Sequence, residues 1–477
     1  MCGILGIVGP EPVGRDLVYG LTALQHRGQD AAGVTTLSDR FHTRKAKGLV
    51  NQVFRRNDHV QPLMGNVGIG HVRYATQGTN TADDAQPMAV NYPFGIALAH
   101  NGNVTNFVEV KERLGTEHFR LVQTANDAEL ILYWIAVCLE KKDLSKMGPE
   151  DVWDVVRQVQ ENVRGAYSVV CVIAGQGLLA FRDTHGLRPL MHGKRQVAGG
   201  TAHAFASEST CFDYLGYENL GEVPAGGAVL VTPQGVVHSM TPNEKKSDFC
   251  SFEYVYFARE DSNFGNGAVW ELRESVGRKL AGSVRAQGLK PDVVIDAPST
   301  AFHAAVALAE ELGVPYRRGL SKNNHVGRSF IAPTQAERER VVRQKLNPMT
   351  SVIEGKKVLV VDDSVVRGTT SKRIVTLLRE AGATEVYFAS AAPPVKHPCV
   401  YGIDMATHAE IAAARMTETE LREWMGADAV VFQEMDTFKQ ALAGKAGCYA
   451  CFTGEYPTSI DDKERALISS ERVLRRQ

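Results

Sequence analysis

Residues 357–371 read Lys357-Val358-Leu359-Val360-Val361-Asp362-Asp363-Ser364-Val365-Val366-Arg367-Gly368-Thr369-Thr370-Ser371. Val358 to Val361 form a short continuous apolar run, the pattern of a strand buried on both faces. Two carboxylates follow it, at the strand end where open α/β sheets bind their ligands. A small-residue turn, Arg367-Gly368-Thr369-Thr370, then opens a helix. That helix has Ile374, Leu377, Leu378 and Ala381 on one face and stops at Gly382. Backbone N–H groups at such a turn, with the helix dipole, make an anion site. The hydroxyls of Ser364, Thr369, Thr370 and Ser371 add donors. Asp362 and Asp363 would not touch a phosphate directly. Ribose hydroxyls and Mg²⁺ suit them, since Mg²⁺ prefers carboxylates, waters and phosphate oxygens. The ligand implied carries both a phosphate and a diol. The plain alternative is a capped surface turn with a solvated Asp pair. No Gly-x-x-x-x-Gly-Lys is present here, which excludes a Walker-type loop.

The same strand–turn–helix grammar surrounds this stretch. Asp292-Val293-Val294-Ile295-Asp296 is a compact strand before a helix from about residue 301, and residues 385–390 are the next strand. Such alternation predicts a parallel sheet with helices on both faces. Up to about residue 235 the pattern differs. Short β-like runs at 68–74, 95–100 and 166–173 alternate with Gly-rich turns, and residues 126–142 and 151–163 have helical apolar spacing. The polar stretch 241–248 reads as a linker. The chain therefore divides into 2–240, 250–445 and a tail, 446–477, that carries a Cys pair.

Composition narrows the function classes. The 477 residues are 44% hydrophobic and 22% charged, as in ordinary globular proteins, and the formal net charge is −1. That balance supplies no electrostatic reason to bind nucleic acid or an anionic membrane. No apolar run approaches a membrane span, and no basic-then-apolar leader is evident. Eight cysteines are too few for a disulfide scaffold, and a cytoplasmic setting would keep them reduced.

The chain begins Met1-Cys2-Gly3-Ile4. Loss of Met1 would give Cys2 a free α-amine, with a pKa of ~7.7–8.0, beside a thiol of ~8.5. Proton transfer between them is then nearly thermoneutral, and a terminal residue can use its own amine as general base. The bland reading is one more small residue at a terminus.

Cys2-Gly3-Ile4, Leu24-Gln25-His26-Arg27-Gly28-Gln29-Asp30-Ala31-Ala32-Gly33, Gly70-His71-Val72-Arg73-Tyr74-Ala75-Thr76 and Ala99-His100-Asn101-Gly102-Asn103 together resemble the N-terminal-nucleophile glutamine amidotransferases. Residues 360–371 resemble the phosphoribosyl diphosphate (PRPP) motif of type I phosphoribosyltransferases. In this order the halves resemble the glutamine PRPP amidotransferase family over nearly the whole chain. The fold implied is an αββα sandwich of the N-terminal-nucleophile hydrolase type, followed by a phosphoribosyltransferase parallel-sheet domain. The resemblance makes Cys2 the nucleophile, with Asn101 and Gly102 the oxyanion hole. It sets Arg73 against the glutamine α-carboxylate and Asp127 against its α-ammonium. Read singly, Arg73 or Asp127 is a surface ion pair and Asn101-Gly102 a hairpin turn. In the second half it makes Thr300, Asp362 and Asp363 the Mg²⁺ and ribose ligands. Ser364 and the run Arg367, Gly368, Thr369 and Thr370 become the 5′-phosphate loop, and Lys322 and Arg328 the diphosphate contacts on a closing loop. Departures from the family pattern are Asn324-His325, Ser299 and Glu260, which puts loop closure and substrate affinity in doubt.

Cys448-Tyr449-Ala450-Cys451 is a C-x-x-C that alone could be half a zinc site, a redox pair or chance. With Cys250 and Cys399 it makes four thiols, able to hold zinc or an iron–sulfur cluster. The blocks around all four resemble those of the family branch that carries a [4Fe–4S] cluster, so the cluster is expected, in a structural role. Cys138, Cys171 and Cys211 sit in apolar surroundings and read as core.

The activity implied is release of ammonia from glutamine at Cys2 and its attack on C1 of PRPP. The products are 5-phosphoribosylamine, glutamate and diphosphate, in the first committed step of purine synthesis. A water-poor passage between the sites would keep the ammonia unprotonated. The family further implies purine nucleotides as feedback inhibitors and a homotetramer. Other amidotransferases of this class need an ATP-pyrophosphatase signature or a sugar-isomerase domain after the glutaminase. A PRPP-sensing regulator would need a basic patch or a DNA-binding domain, and would not need Cys2. The departures leave a non-catalytic paralogue open.

Overall fold

Two antiparallel sheets stack face to face in the first half of the chain. The computed structural model describes all residues except 75–82, 243–246, 266, 324–345, 404, 406, 461–463, 469 and 471–477. The first sheet has seven strands in the order Glu218–Glu222, Met191–Val197, Gly200–Ala206, Gly3–Val8, Val67–Arg73, Ala31–Leu37 and Phe41–Lys47. The second has six, in the order Val237–Met240, Ala228–Val231, Gly177–Arg182, Gly165–Ile173, Ile96–Val104 and Met88–Val90. Alternation along each strand decides the layers. Ile4, Ile69, Ala97, Ala99, Val170, Val172, Leu178 and Phe205 fill the space between the sheets. Leu98, Val169 and Cys171, on the opposite face of the second sheet, pack under the helices Asp127–Glu140 and Pro149–Asn162. The first sheet is covered by the helix Gly14–Ala23, through Leu17 and Leu21, and by Thr210–Leu215. This is the expected αββα sandwich.

The second half is built on four parallel strands in the order Val293–Asp296, Lys357–Asp362, Glu385–Ser390 and Ala429–Phe432. Their central residues are apolar because both faces are covered. Val294, Leu359, Val361 and Ala389 face Leu280, Ala281, Leu308 and Ala309, on the helices Val269–Ala286 and Phe302–Leu312. Ile295, Val358, Val360 and Phe388 face Ile374, Leu378 and Leu421, on Thr369–Glu380 and Glu418–Met425. Leu320–Lys322 and Leu346–Pro348 form a separate antiparallel pair. No helix among the described residues is long and apolar enough to cross a membrane.

Candidate functional site

Cys2 leads into the strand Gly3–Val8, and Asn101 lies on the facing sheet. Cys2 N donates to Asn101 Oδ1 at 3.2 Å, and Cys2 Sγ lies 3.6 Å from the Tyr74 carbonyl oxygen. With its carbonyl oxygen so engaged, Asn101 is left with a buried Nδ2 that has no hydrogen-bond partner among the described residues. A buried amide donor without an acceptor is costly, and this one belongs to the side chain that holds Cys2 N. Asn101-Gly102 is therefore no hairpin turn. Both residues lie inside the strand Ile96–Val104, where Gly102 adopts φ +156° and a Cβ would fall 1.8 Å from the Ala166 carbonyl oxygen.

Arg73 and Asp127 are buried, not surface, charges, at 3% and 4% exposure. Arg73 Nη2 lies 3.7 Å from Asp84 Oδ2. Asp127 opens its helix and accepts from Val104 N at 3.0 Å, with His100 Nε2 3.3 Å away. Burial opposes the charge on Asp127, yet His100 and the Val104 N–H hold its carboxyl below the ordinary value. Gln86 Oε1 accepts from His100 N at 2.8 Å and so fixes the strand that carries Asn101. Met1 is present and 1% exposed, and burial is the main cause lowering its α-ammonium to about 6.

Beneath Cys2 lies a buried ion network on which the sequence offered no reading. Arg27 Nε donates to the Cys2 carbonyl oxygen at 2.9 Å. Its Nη1 meets Glu208 and its Nη2 meets Glu253 at 3.0 Å, while Arg188 Nη1 reaches the same Glu253 oxygen at 3.2 Å. All four side chains are fully buried. Burial disfavours the Glu208 charge, but His26 and Arg27 more than offset this and hold its carboxyl below the ordinary value. The partners are 181, 226 and 65 residues apart, so no local pattern could have announced them.

At the carboxyl edge of the parallel sheet the expected cluster assembles. Thr300, in the turn after one strand, donates to Asp363 Oδ2 at 2.6 Å, past the end of the adjacent strand. Ser364 Oγ donates to Asp363 Oδ1 at 2.7 Å, and Asp363 N donates to Asp362 Oδ1 at 2.9 Å. Burial, then the neighbouring Asp363, pushes Asp362 well up; burial also raises Asp363, against the hydroxyls of Thr300 and Ser364. Gly368 adopts φ +75° at the N-terminus of the helix Thr369–Glu380, and Thr369 and Thr370 are exposed there. Arg367 pairs with Glu410 at 3.3 Å, so the structure turns it from the anion loop toward a carboxylate. Lys322 is exposed on the edge pair; Arg328 lies outside the described residues.

An apolar cavity lined by Tyr254, Val255, Leu272 and Val276 ends at Thr300 and Asp363. Arg273 shapes it, donating to the carbonyl oxygens of Tyr254 at 2.9 Å and Ala258 at 2.8 Å. Its wall belongs to the turn Glu253–Phe257, whose first residue is the Glu253 of the buried network. Tyr256, on the same turn, stands within electrostatic reach of Asp363, Asp362 and Tyr74. The two sites thus share one short segment.

The four candidate cysteines also converge. Cys250 and Cys448 lie on bridged backbone segments, and Ser251 N and Oγ donate to the Cys448 carbonyl oxygen at 3.2 and 2.9 Å. The Cys451 carbonyl oxygen accepts from Lys396 N and His397 N, two residues before Cys399. Tyr401 N donates to Cys399 Sγ at 3.3 Å. Burial, then mutual repulsion among the four, raises the thiols of Cys448 and Cys451. Among the described residues no three His, Cys, Asp or Glu groups gather tightly enough to hold a single metal ion. Cys138, Cys171 and Cys211 are buried core residues, as expected.

Residues 71–214 match the model of the glutamine amidotransferase domain, and residues 269–399 that of the phosphoribosyl transferase domain. The amidophosphoribosyltransferase of Haemophilus influenzae is 44% identical over 470 residues, covering 96% of this chain and 93% of that one. The amidophosphoribosyltransferase of Saccharomyces cerevisiae is 42% identical, covering 97% and 93%. Among solved structures, the glutamine PRPP amidotransferase from B. subtilis complexed with ADP and GMP superposes with a TM-score of 0.86 at 37% identity, covering 97% of this chain and 98% of that one. With Cys2 N held by an Asn101 whose amide donor has no partner among the described residues in one half, and an adjacent carboxylate pair at a parallel-sheet edge in the other, the chain belongs to the amidophosphoribosyltransferase family, whose reaction is the first step of purine biosynthesis.

Proposed function

We propose that Cys2, freed of Met1, attacks the glutamine carboxamide, and that the orphaned Asn101 Nδ2 is the observation carrying this assignment. A donor held without an acceptor is preorganised for the oxyanion that forms only during reaction. The Gly102 N–H is the second donor of the hole. Arg73 takes the α-carboxylate through its planar fork, and Asp127, kept ionised, takes the α-ammonium. Ammonia then leaves the tetrahedral intermediate, and water hydrolyses the thioester.

In the other half, Ser364, Gly368, Thr369 and Thr370 hold the 5′-phosphate at a helix N-terminus. Arg367, paired with Glu410, must leave that pair to join them. Lys322 and Arg328 serve the diphosphate. The Thr300, Asp362 and Asp363 set fits Mg²⁺: two adjacent carboxyls that resist ionising alone are what a divalent cation would stabilise. When bound, Mg²⁺ neutralises charge on the departing diphosphate. Ammonia reaches C1 by way of the cavity beside Tyr254 and Val255, whose apolar wall disfavours its protonation.

Cys250, Cys399, Cys448 and Cys451 are the ligands proposed for a [4Fe–4S] cluster, on the likeness of their sequence blocks to the cluster-bearing branch of the family and on the contacts that join their backbone segments. When bound, the cluster would tie the C-terminal tail to residues 250 and 399. Purine nucleotides are the feedback inhibitors proposed for this chain from family likeness, and the B. subtilis structure complexed with ADP and GMP supports nucleotide binding. A homotetramer is the assembly proposed from family likeness. Eight unpaired cysteines suit a reducing cytoplasm.

Asn101→Ala should lower glutamine-dependent kcat by about 10²–10³ while leaving ammonium-dependent transfer intact. Parallel diphosphate-release assays with glutamine and with ammonium chloride measure this. An equal fall in both would remove Asn101 from the oxyanion hole.

A further inference from the structure

His71 is a buried imidazole that the mechanism above does not use. It lies on the strand Val67–Arg73, across from Ile4 and two residues before Arg73. Side chains alternate along a strand. His71 therefore points with Ile4, Ile69 and Arg73 into the space between the two sheets. It stands one side-chain layer beneath Cys2, Arg73 and Asn101, within the diagonal reach of a ring. The side chain is fully buried, and neither ring nitrogen has a hydrogen-bond partner among the described residues. Two unpaired nitrogens in an apolar layer are costly, and native interiors rarely keep them without a use.

Two groups stand close to the ring. One is the His100 backbone carbonyl. The strand Met88–Val90 covers its edge of Ile96–Val104 only as far as Leu98. Beyond that point the Gln86 side chain takes the His100 N–H, at 2.8 Å. The His100 carbonyl leaves from the same edge, since the N–H and C=O of one residue share a side of the strand. The next residue, Asn101, holds Cys2 N. The other group is Arg73, which offers N–H donors only. A neutral imidazole is both donor and acceptor. It can give its N–H to the carbonyl and a lone pair to the guanidinium. Burial, then His100 and Arg73, hold the ring well below its ordinary value and so keep it neutral.

We propose that His71 is a positioning residue of the glutamine site, its ring bridging the His100 carbonyl to the Arg73 guanidinium and so tying the oxyanion strand to the group that grips the substrate carboxylate. This rests on the reading of Cys2 as nucleophile and of Arg73 as carboxylate ligand. In the free enzyme the bridge is unmade, with Arg73 Nη2 3.7 Å from Asp84 Oδ2. It closes when the α-carboxylate draws Arg73 into place, as hydrogen bonds that serve a reaction often tighten only with substrate bound. The carboxylate at one end of glutamine thereby aligns Asn101 at the other. Both bridged strands belong to the first half of the chain, so the bridge does not engage ammonium-dependent transfer.

The test uses the full chain and two electrophilic glutamine analogues, one with the α-carboxylate and one without it. The readout is the rate of label appearing on Cys2, by mass of the N-terminal peptide. Ammonium-dependent diphosphate release in the same samples reports the fold. The wild type should label much faster with the carboxylate-bearing analogue. His71→Leu, similar in size but without nitrogens, should slow that labelling about tenfold or more and leave the rate with the other analogue unchanged. His71→Asn, whose amide is again donor and acceptor, should restore most of the difference. Equal slowing with both analogues in His71→Leu would mean lost packing and would overturn the proposal, as would wild-type selectivity in that variant or an Asn variant no better than Leu. If His71→Leu also loses ammonium-dependent turnover, His71→Asn decides: retained selectivity supports the bridge and a collapsed ratio overturns it. Failure of the underlying reading looks different. Label absent from Cys2 in the wild type ends the nucleophile assignment, and equal wild-type rates with the two analogues end the assignment of Arg73.

Discussion

Cys2→Ala should abolish glutamine-dependent formation of phosphoribosylamine, by about 10⁴-fold or more, and leave ammonium-dependent formation near the wild-type rate. The split follows from where the residue sits. Cys2 supplies the only sulfur proposed to attack glutamine. It makes no hydrogen bond to the carboxylate pair that defines the other site. The side chain is small and lies at the start of a strand, so truncation removes one sulfur and leaves the packing of Ile4 and Leu5 intact. Diphosphate release with each nitrogen source measures both activities. Loss of the ammonium-dependent rate to the same extent would mean that Cys2 serves the transferase half or the fold.

Asp363→Asn should have the converse breadth: both nitrogen sources fail, by about 10³-fold, since several kcal/mol of charge stabilisation leave the transferase step. The same substitution should stabilise the metal-free protein. In the unfolded chain the two carboxyls ionise near the ordinary 3.8, whereas in the folded chain burial raises both. A carboxyl raised on folding favours the folded state when protonated. Its penalty therefore appears as pH climbs past 3.8 and is complete above the folded values. Asn carries no such penalty, so at neutral pH the variant's Tm should exceed the wild type's by about 2–4 °C, and the gap should close toward pH 4. Added Mg²⁺ with PRPP should raise the wild-type Tm and leave the variant's unchanged. Thermal scans over pH check this; a variant less stable than wild type at neutral pH would refute the buried-charge account.

What could be read from the sequence was local. Residues 357–371 displayed strand, carboxylates, turn and helix in chain order, and the structure keeps that order at the sheet edge. The helices at 126–142 and 151–163 appear as Asp127–Glu140 and Pro149–Asn162, because their apolar spacing matches the layer they cover. Asn101-Gly102 misleads when read alone. Its composition is that of a turn, but pairing with Ser168 and Tyr167 on the next strand overrides local preference. The buried network was illegible for the same reason in stronger form. Arg27, Arg188, Glu208 and Glu253 carry no local signal of a shared network until the fold brings them together from four separate segments. Arg367 shows the reverse limit: its place in the phosphate turn was legible, its pairing with Glu410, 43 positions away, was not. Gly402 carries no sequence signal, since only the approach of the Gly102 strand makes its missing side chain matter.

Met1 is buried against the ion network in the unprocessed chain, and while it remains Cys2 N is an amide without basicity. The most direct measurement is the mass of the N-terminal peptide from fully active enzyme after stoichiometric inactivation by an electrophilic glutamine analogue. The account expects a peptide that starts at Cys2 and carries one adduct on that residue. A peptide that retains Met1 in fully active material, or an adduct on any other residue, would contradict it.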